Sequence, residues 1–327
     1  MSSIERAMDK IVAGTAPASD DIVPVSTANA TPVSSETTTA PPAAPPRPAA
    51  TPADVAPVIT SPPRGSEGPA SAPAEAEPTF SNNNFINIDF ARLAAGGFLT
   101  PDQPMTRQSE EYQHIKRRVL GNMTSGALHP NRPSNLILIT SSVPGEGKTF
   151  TSVNLAISLA MEVDHTILVV DTDIMKRDLS RALGVVDRKG LFDLLASPNL
   201  RLEDLLVRTN MRNLVILPVG TKREGSTELL ASMRMRELAD EISRRYKDRV
   251  VLFDSPPVLA TTTASALAPL VGQVILVAEA GSTKHETIRE ALQRLDRVTI
   301  TGVILNKAKQ TAAASYDYYG SYYYHAR

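Results

Sequence analysis

Cysteine is absent from the 327 residues, which excludes disulfides, thiolate nucleophiles and cysteine-held zinc or iron–sulfur centres, and suits a reducing compartment. The five histidines are scattered without metal-ligand spacing. No uninterrupted apolar run approaches the ~18 residues of a membrane-spanning helix. The opening MSSIERAMDK alternates charges where a signal peptide would carry an apolar stretch. We therefore expect a cytosolic protein. The net charge of -1 singles out no partner. Apolar bulk is scarce in the first quarter, where 15 of the 25 prolines lie before Phe80 among runs of Ala, Ser and Thr, too little to build a core. The remainder is long enough for one ordinary domain.

Residues 1–14 read as a short amphipathic helix, with Ser2 and Glu5 at capping-box spacing, Ile4, Met8, Ile11 and Val12 on one face and Gly14 to end it. It is either incidental or a docking element for a partner or membrane surface. A disordered linker is predicted over 15–80, a folded domain over 81–308 and a flexible tail over 309–327. A further helix is predicted around Glu110 to Leu120, where Tyr112, Ile115 and Val119 recur at helical spacing. Beyond it, apolar runs at Leu136 to Thr140, Thr166 to Val170, Asn213 to Leu217, Arg249 to Phe253, Gln273 to Ala278 and Thr301 to Leu305 alternate with helical patterns at Phe150 to Met161, Thr227 to Tyr246 and Lys284 to Arg297. Continuous β-branched strands separated by helices predict an α/β fold, a parallel sheet covered by helices on both faces.

Directly after the first core strand, Ser142, Val143, Pro144, Gly145, Glu146, Gly147, Lys148 and Thr149 follow the phosphate-loop pattern G-x-x-x-x-G-K-[ST], with Ser142 in place of the first glycine. Phe150 opens the helix that follows. The glycines let backbone amides turn toward phosphate oxygens, Lys148 supplies charge to the β and γ phosphates, and the Thr149 hydroxyl suits Mg²⁺. These residues are the candidate nucleotide-binding set. Two strands end in acids, at Asp171 and Asp173 and at Asp254. Strand-terminal aspartates also cap helices and start turns, but beside a phosphate loop they become metal and catalytic candidates.

Together SSVPGEGKT, ILVVDTDIMKRDLSRALGV and VVLFDSPPVL resemble the Walker A, second acidic and Walker B motifs of the bacterial protein-tyrosine kinases of exopolysaccharide systems, and within them the cytoplasmic autokinases of exosortase-linked clusters. The resemblance implies a phosphate-loop kinase that uses ATP and Mg²⁺. It implies that Asp171 helps deprotonate the acceptor tyrosine, that Thr149, Asp173 and Asp254 hold the metal, and that Asn306 lies near the base. It also implies a membrane polysaccharide co-polymerase as partner, a homo-oligomer, a phosphotyrosine phosphatase, and a location at the inner membrane through that partner. One departure is visible. The family's E-x-x-R-x-x-R ring motif is represented by Glu110, Gln113 and Lys116.

Six of the eight tyrosines, Tyr316, Tyr318, Tyr319, Tyr322, Tyr323 and Tyr324, crowd the last twelve residues. Such a tail accepts phosphate, stacks on a partner, or is inert; a phosphate loop in the same chain favours the first, and with Arg327 as the only basic Lys or Arg after Tyr316 no nucleic acid is expected. At ~3.3 Å per extended residue, Tyr316 reaches ~33 Å and Tyr324 ~60 Å from Asn306, enough for the chain itself or a neighbour. Two rival readings remain. One is an ATP-hydrolysing switch of the chromosome-partitioning and septum-positioning type, whose signature lysine is replaced here by Val143; the other is a scaffold whose nucleotide only controls binding.

Overall fold

The computed structural model describes residues 84–125, 132–222, 225–245, 249–295 and 300–308. The expected first helix, the linker over 15–80 and the tyrosine tail lie outside the described residues.

Every expected core strand forms: β2 (Leu136–Ser141), β3 (Thr166–Asp171), β5 (Leu214–Leu217), β6 (Arg249–Asp254), β7 (Gln273–Glu279) and β8 (Ile300–Asn306). They join β1 (Phe85–Ile86) and β4 (Val207–Thr209) in one sheet of order β1-β4-β5-β3-β6-β2-β7-β8. The sheet is mostly parallel, not wholly so as expected. β4 runs antiparallel to β5, because a short connection at Thr209 to Asn213 turns the chain straight back, with the Thr209 hydroxyl donating to the carbonyls of Met211 and Leu214.

Successive side chains of a strand face opposite ways. Leu136, Leu138, Leu168, Val170, Val251 and Phe253 therefore enter one core, and Ile137, Ile139, Ile167, Val169, Val250 and Leu252 enter the other. The second core is covered by α1 (Phe90–Ala95), α2 (Arg107–Ser125), α3 (Lys148–Ala160) and α4 (Asp178–Ala182). The first is covered by α5 (Leu191–Ala196), α7 (Met233–Arg245), α8 (Thr263–Leu267) and α9 (His285–Arg294). Tyr112 and Val119 of α2 are buried as their spacing predicts.

The helix expected from Thr227 to Tyr246 is broken. A short α6 (Ser226–Leu229) stops, and α7 begins after Ser232, whose hydroxyl accepts from the Met235 N–H at 3.3 Å and donates to the Leu229 carbonyl at 2.6 Å. A serine offered a capping position competes with continuing the helix.

From β2 the chain crosses over α3 to β3 on one side, whereas from β6 it crosses over α8 to β7 on the other. The carboxyl end of β2 is thus a topological switch point, where open α/β sheets bind ligands.

Candidate functional site

The loop from Ser142 to Gly147 leaves β2 at that switch point and enters α3, which begins at Lys148. Gly145 and Gly147 both take φ +94°, a backbone region closed to most side chains. At Gly147 a Cβ would also fall 2.0 Å from Asn306 Nδ2, so a side chain there would displace the Asn306 amide. Ser142 adopts no positive φ, so the position where the usual pattern has glycine does not demand one here.

Three carboxylates meet this loop because β3 and β6 are paired in register, Asp171 beside Asp254. Lys148 Nζ lies 3.0 Å from Asp173 Oδ2 and 3.7 Å from Asp254 Oδ2, all three side chains nearly inaccessible. Thr149 donates its hydroxyl to Asp254 Oδ2 at 2.8 Å, and Ser152, one turn along α3, donates to Asp254 Oδ1 at 2.8 Å. Burial opposes the charge on Lys148, but Asp254 and Asp173 outweigh it and hold the ammonium above its ordinary value. Burial pushes Asp254 up, with Lys148 and the two hydroxyls partly offsetting it.

Asp171 is fully buried and differently engaged. Its Oδ1 accepts from the Asp173 N–H at 3.0 Å, and its Oδ2 accepts from the N–H and hydroxyl of Ser180 at 2.9 and 2.6 Å. Burial and the neighbouring charge of Asp254 push its carboxyl up to about 7 despite these donors.

The donors present suit magnesium completed by phosphate oxygens. Among the described residues no three carboxylates or imidazoles converge as an all-protein metal site requires. Mg²⁺ instead favours one or two carboxylates plus substrate phosphates. Asp254 and the Thr149 hydroxyl are adjacent, and Asp173 Oδ2 meets Lys148 Nζ at 3.0 Å as its one close partner, an oxygen with lone-pair capacity beyond that contact. Asp173 and Asp254 against one lysine also leave negative charge that a divalent cation would neutralise.

Asn306, expected beside the base, sits at the end of β8 with its side-chain amide donating to the Glu146 carbonyl at 2.9 Å, against the back of the loop. Phe150 packs against Phe98 with ring centres 4.9 Å apart and planes tilted by 39°, and Phe98 precedes the Leu99 N–H that donates to Asn154 Oδ1 at 2.7 Å. The six tail tyrosines lie outside the described residues. Sequence reasoning missed Ser152 and Ser180, whose partners lie 102 and 9 residues away, and Thr283, whose hydroxyl donates to the Glu146 carboxylate from 137 residues on. A cavity of about 350 Å³ between α5 and α7 contains none of the site residues; its arginines 201, 234 and 245 are matched by glutamates 203, 237 and 241.

Residues 134–309 match the family described as AAA domain. The chain is 30% identical over 221 residues to tyrosine-protein kinase YwqD of Bacillus subtilis, an alignment covering 67% of this chain and 89% of that one. It is 32% identical over 193 residues to tyrosine-protein kinase wzc of Salmonella typhimurium, covering 58% of this chain but 26% of that one, so it spans about a quarter of such longer relatives. Among solved structures, the BceF tyrosine kinase domain superposes with TM-score 0.55 at 30% identity over 66% of this chain and 86% of its own. The kinase domain of Escherichia coli tyrosine kinase ETK does so with TM-score 0.51 at 30% identity, over 55% of this chain and 69% of its own.

Proposed function

The chain belongs to the bacterial tyrosine-protein kinases, and from that membership we propose that it is an autokinase: it transfers the γ-phosphoryl group of ATP, with Mg²⁺, to the tyrosines of its own C-terminal tail, acting between subunits of a homo-oligomer. The observation that carries this reading is the cluster of Lys148, Thr149, Asp173 and Asp254 on the phosphate loop, in a chain that ends in six tyrosines.

In this reading the loop amides and Lys148 bind the β and γ phosphates, with Lys148 held cationic by its acids. Thr149, Asp173 and Asp254 would hold Mg²⁺, which would supply positive charge against the phosphates. Asp171 takes the proton of the acceptor hydroxyl; a carboxyl near 7 suits that task at neutral pH. Ser180, which occupies Asp171 Oδ2, must yield for the acceptor to approach.

Each phosphate adds ~1.5 to 2 negative charges, so a fully modified tail gains on the order of -10 in twelve residues. Such a tail leaves an acidic site and repels its neighbours. That cycle of engagement and release is the proposed control of polysaccharide synthesis or export, reversed by a phosphotyrosine phosphatase. A membrane polysaccharide co-polymerase is the proposed partner, and would hold the kinase at the inner face of the membrane; no helix among the described residues is long and apolar enough to cross one.

Incubating the purified full chain with γ-labelled ATP, and measuring phosphotyrosine and free phosphate separately, tests the reaction. Label concentrated on Tyr316 to Tyr324 is expected; free phosphate without phosphotyrosine would contradict it.

A further inference from the structure

The phosphate loop carries a carboxylate of its own. Glu146 is 2% exposed, within a segment whose amides are to receive a polyphosphate. A buried carboxylate there repels the ligand unless donors hold and satisfy it. Two such donors are present. The Val143 N–H donates to Glu146 Oε2 at 2.8 Å, across the loop, and the Thr283 hydroxyl donates to Oε1.

Thr283 belongs to the turn between β7 and α9. Gly281 at φ +72° folds that turn back, and the Glu279 carbonyl accepts from the N–H groups of Ser282 and Thr283. The same hydroxyl accepts from the Glu279 N–H at 2.9 Å. It therefore links the end of β7 to the loop, accepting on one side and donating on the other. Asn306 adds a second brace from β8 through its 2.9 Å bond to the Glu146 carbonyl. Both groups brace the loop through Glu146, one at its carboxylate and the other at its carbonyl.

We propose that Thr283 is a positioning residue for nucleotide binding, which acts through Glu146 to keep the phosphate loop in its ligand-ready shape. The proposal rests on the nucleotide-binding reading above. Without the hydroxyl, Glu146 Oε1 loses its donor, and a buried carboxylate so stranded turns away and releases the Val143 N–H. The loop amides then lose their alignment before ligand arrives. Thr283 has no hydrogen bond to Lys148, Asp171, Asp173 or Asp254, so binding weakens while the transfer step keeps its rate. Serine preserves both hydrogen bonds; valine preserves the shape and neither bond.

The test is titration calorimetry of the full chain with the magnesium complex of an imidodiphosphate analogue of ATP, for the wild type, Thr283→Ser and Thr283→Val. Nucleotide-free melting temperature and the KM and kcat of autophosphorylation complete it. Thr283→Val is expected to bind about tenfold more weakly and Thr283→Ser within about twofold of wild type, with KM following affinity and kcat nearly constant. Wild-type affinity in Thr283→Val overturns the proposal, as does an equal loss in both variants or a fall in kcat at unchanged affinity. A wild-type chain that binds no nucleotide overturns the reading of the loop itself, a result distinct from the others.

Discussion

Asp171 and Asp173 are two residues apart on the same strand end, yet their surroundings assign them different chemistry. Asp173 pairs with Lys148 through Oδ2 and accepts from the Lys176 N–H through Oδ1, whereas Asp171 faces Ser180 and Asp254 in full burial. Raised to about 7, the Asp171 carboxyl keeps its proton in the folded chain over a pH range where the unfolded chain has lost it. The folded state binds more protons there, so this group's contribution to stability falls as pH rises from the ordinary carboxylate value to about 7. In nucleotide-free, magnesium-free protein, Asp171→Asn removes that dependence. Its melting temperature relative to wild type is therefore expected to be higher at pH 8 than at pH 5; a difference that stays constant with pH would contradict the buried, raised carboxyl. At this scale the sequence disclosed the residues that carry a motif, Lys148, Thr149 and the three aspartates. It concealed Ser152, Ser180 and Thr283, because a hydroxyl that meets its carboxylate only after folding leaves no local pattern. Asn306 was visible as a strand-ending residue, but nothing in ILNKA indicates that its amide turns onto Glu146.

At the scale of elements, the six long strands and the loop-bearing helix were legible because runs such as LILIT and TILVV can be stable only when buried on both sides. β1 and β4, of two and three residues, carry no such run, and their pairing is decided by contacts far apart in the chain. Asn210 makes one of them, accepting from the Ile88 N–H at 3.0 Å and donating to the Ile88 carbonyl at 3.2 Å. It thereby clips the segment entering the domain onto the sheet edge beside β4. Asn210→Ala removes both bonds and is expected to cost about 1–2 kcal/mol and to speed proteolytic cleavage near β1. An unchanged melting temperature and cleavage rate would show that the clip does not hold the segment. The helix that carries Glu110, Gln113 and Lys116 forms where its spacing predicts, and its lysine makes contacts that the spacing does not disclose. Lys116 turns inward to Glu162 at 2.5 Å and to the Ser158 carbonyl at 3.4 Å, tying α2 to the end of α3.

For the whole molecule, the sheet order turns three distant segments into one site. β2, β6 and β3 lie side by side and parallel, so the phosphate loop, Asp254 and the Asp171–Asp173 pair open at the same end. Each motif was legible alone, and parallel pairing is what makes them a constellation. The last described strand, β8, ends with Asn306 against the phosphate loop, ten residues before Tyr316 in the sequence. The central claim is that this site phosphorylates that tail between copies of the chain. It is tested most directly by mixing two chains that cannot label themselves: full-length Lys148→Met, which has acceptor tyrosines but no loop lysine, and a chain truncated after residue 308, which has the site but no tail. Mass spectrometry is predicted to find phosphotyrosine between Tyr316 and Tyr324 in the mixture with ATP and Mg²⁺, and none in Lys148→Met alone. Phosphotyrosine on Lys148→Met by itself, or none in the mixture, would contradict the account.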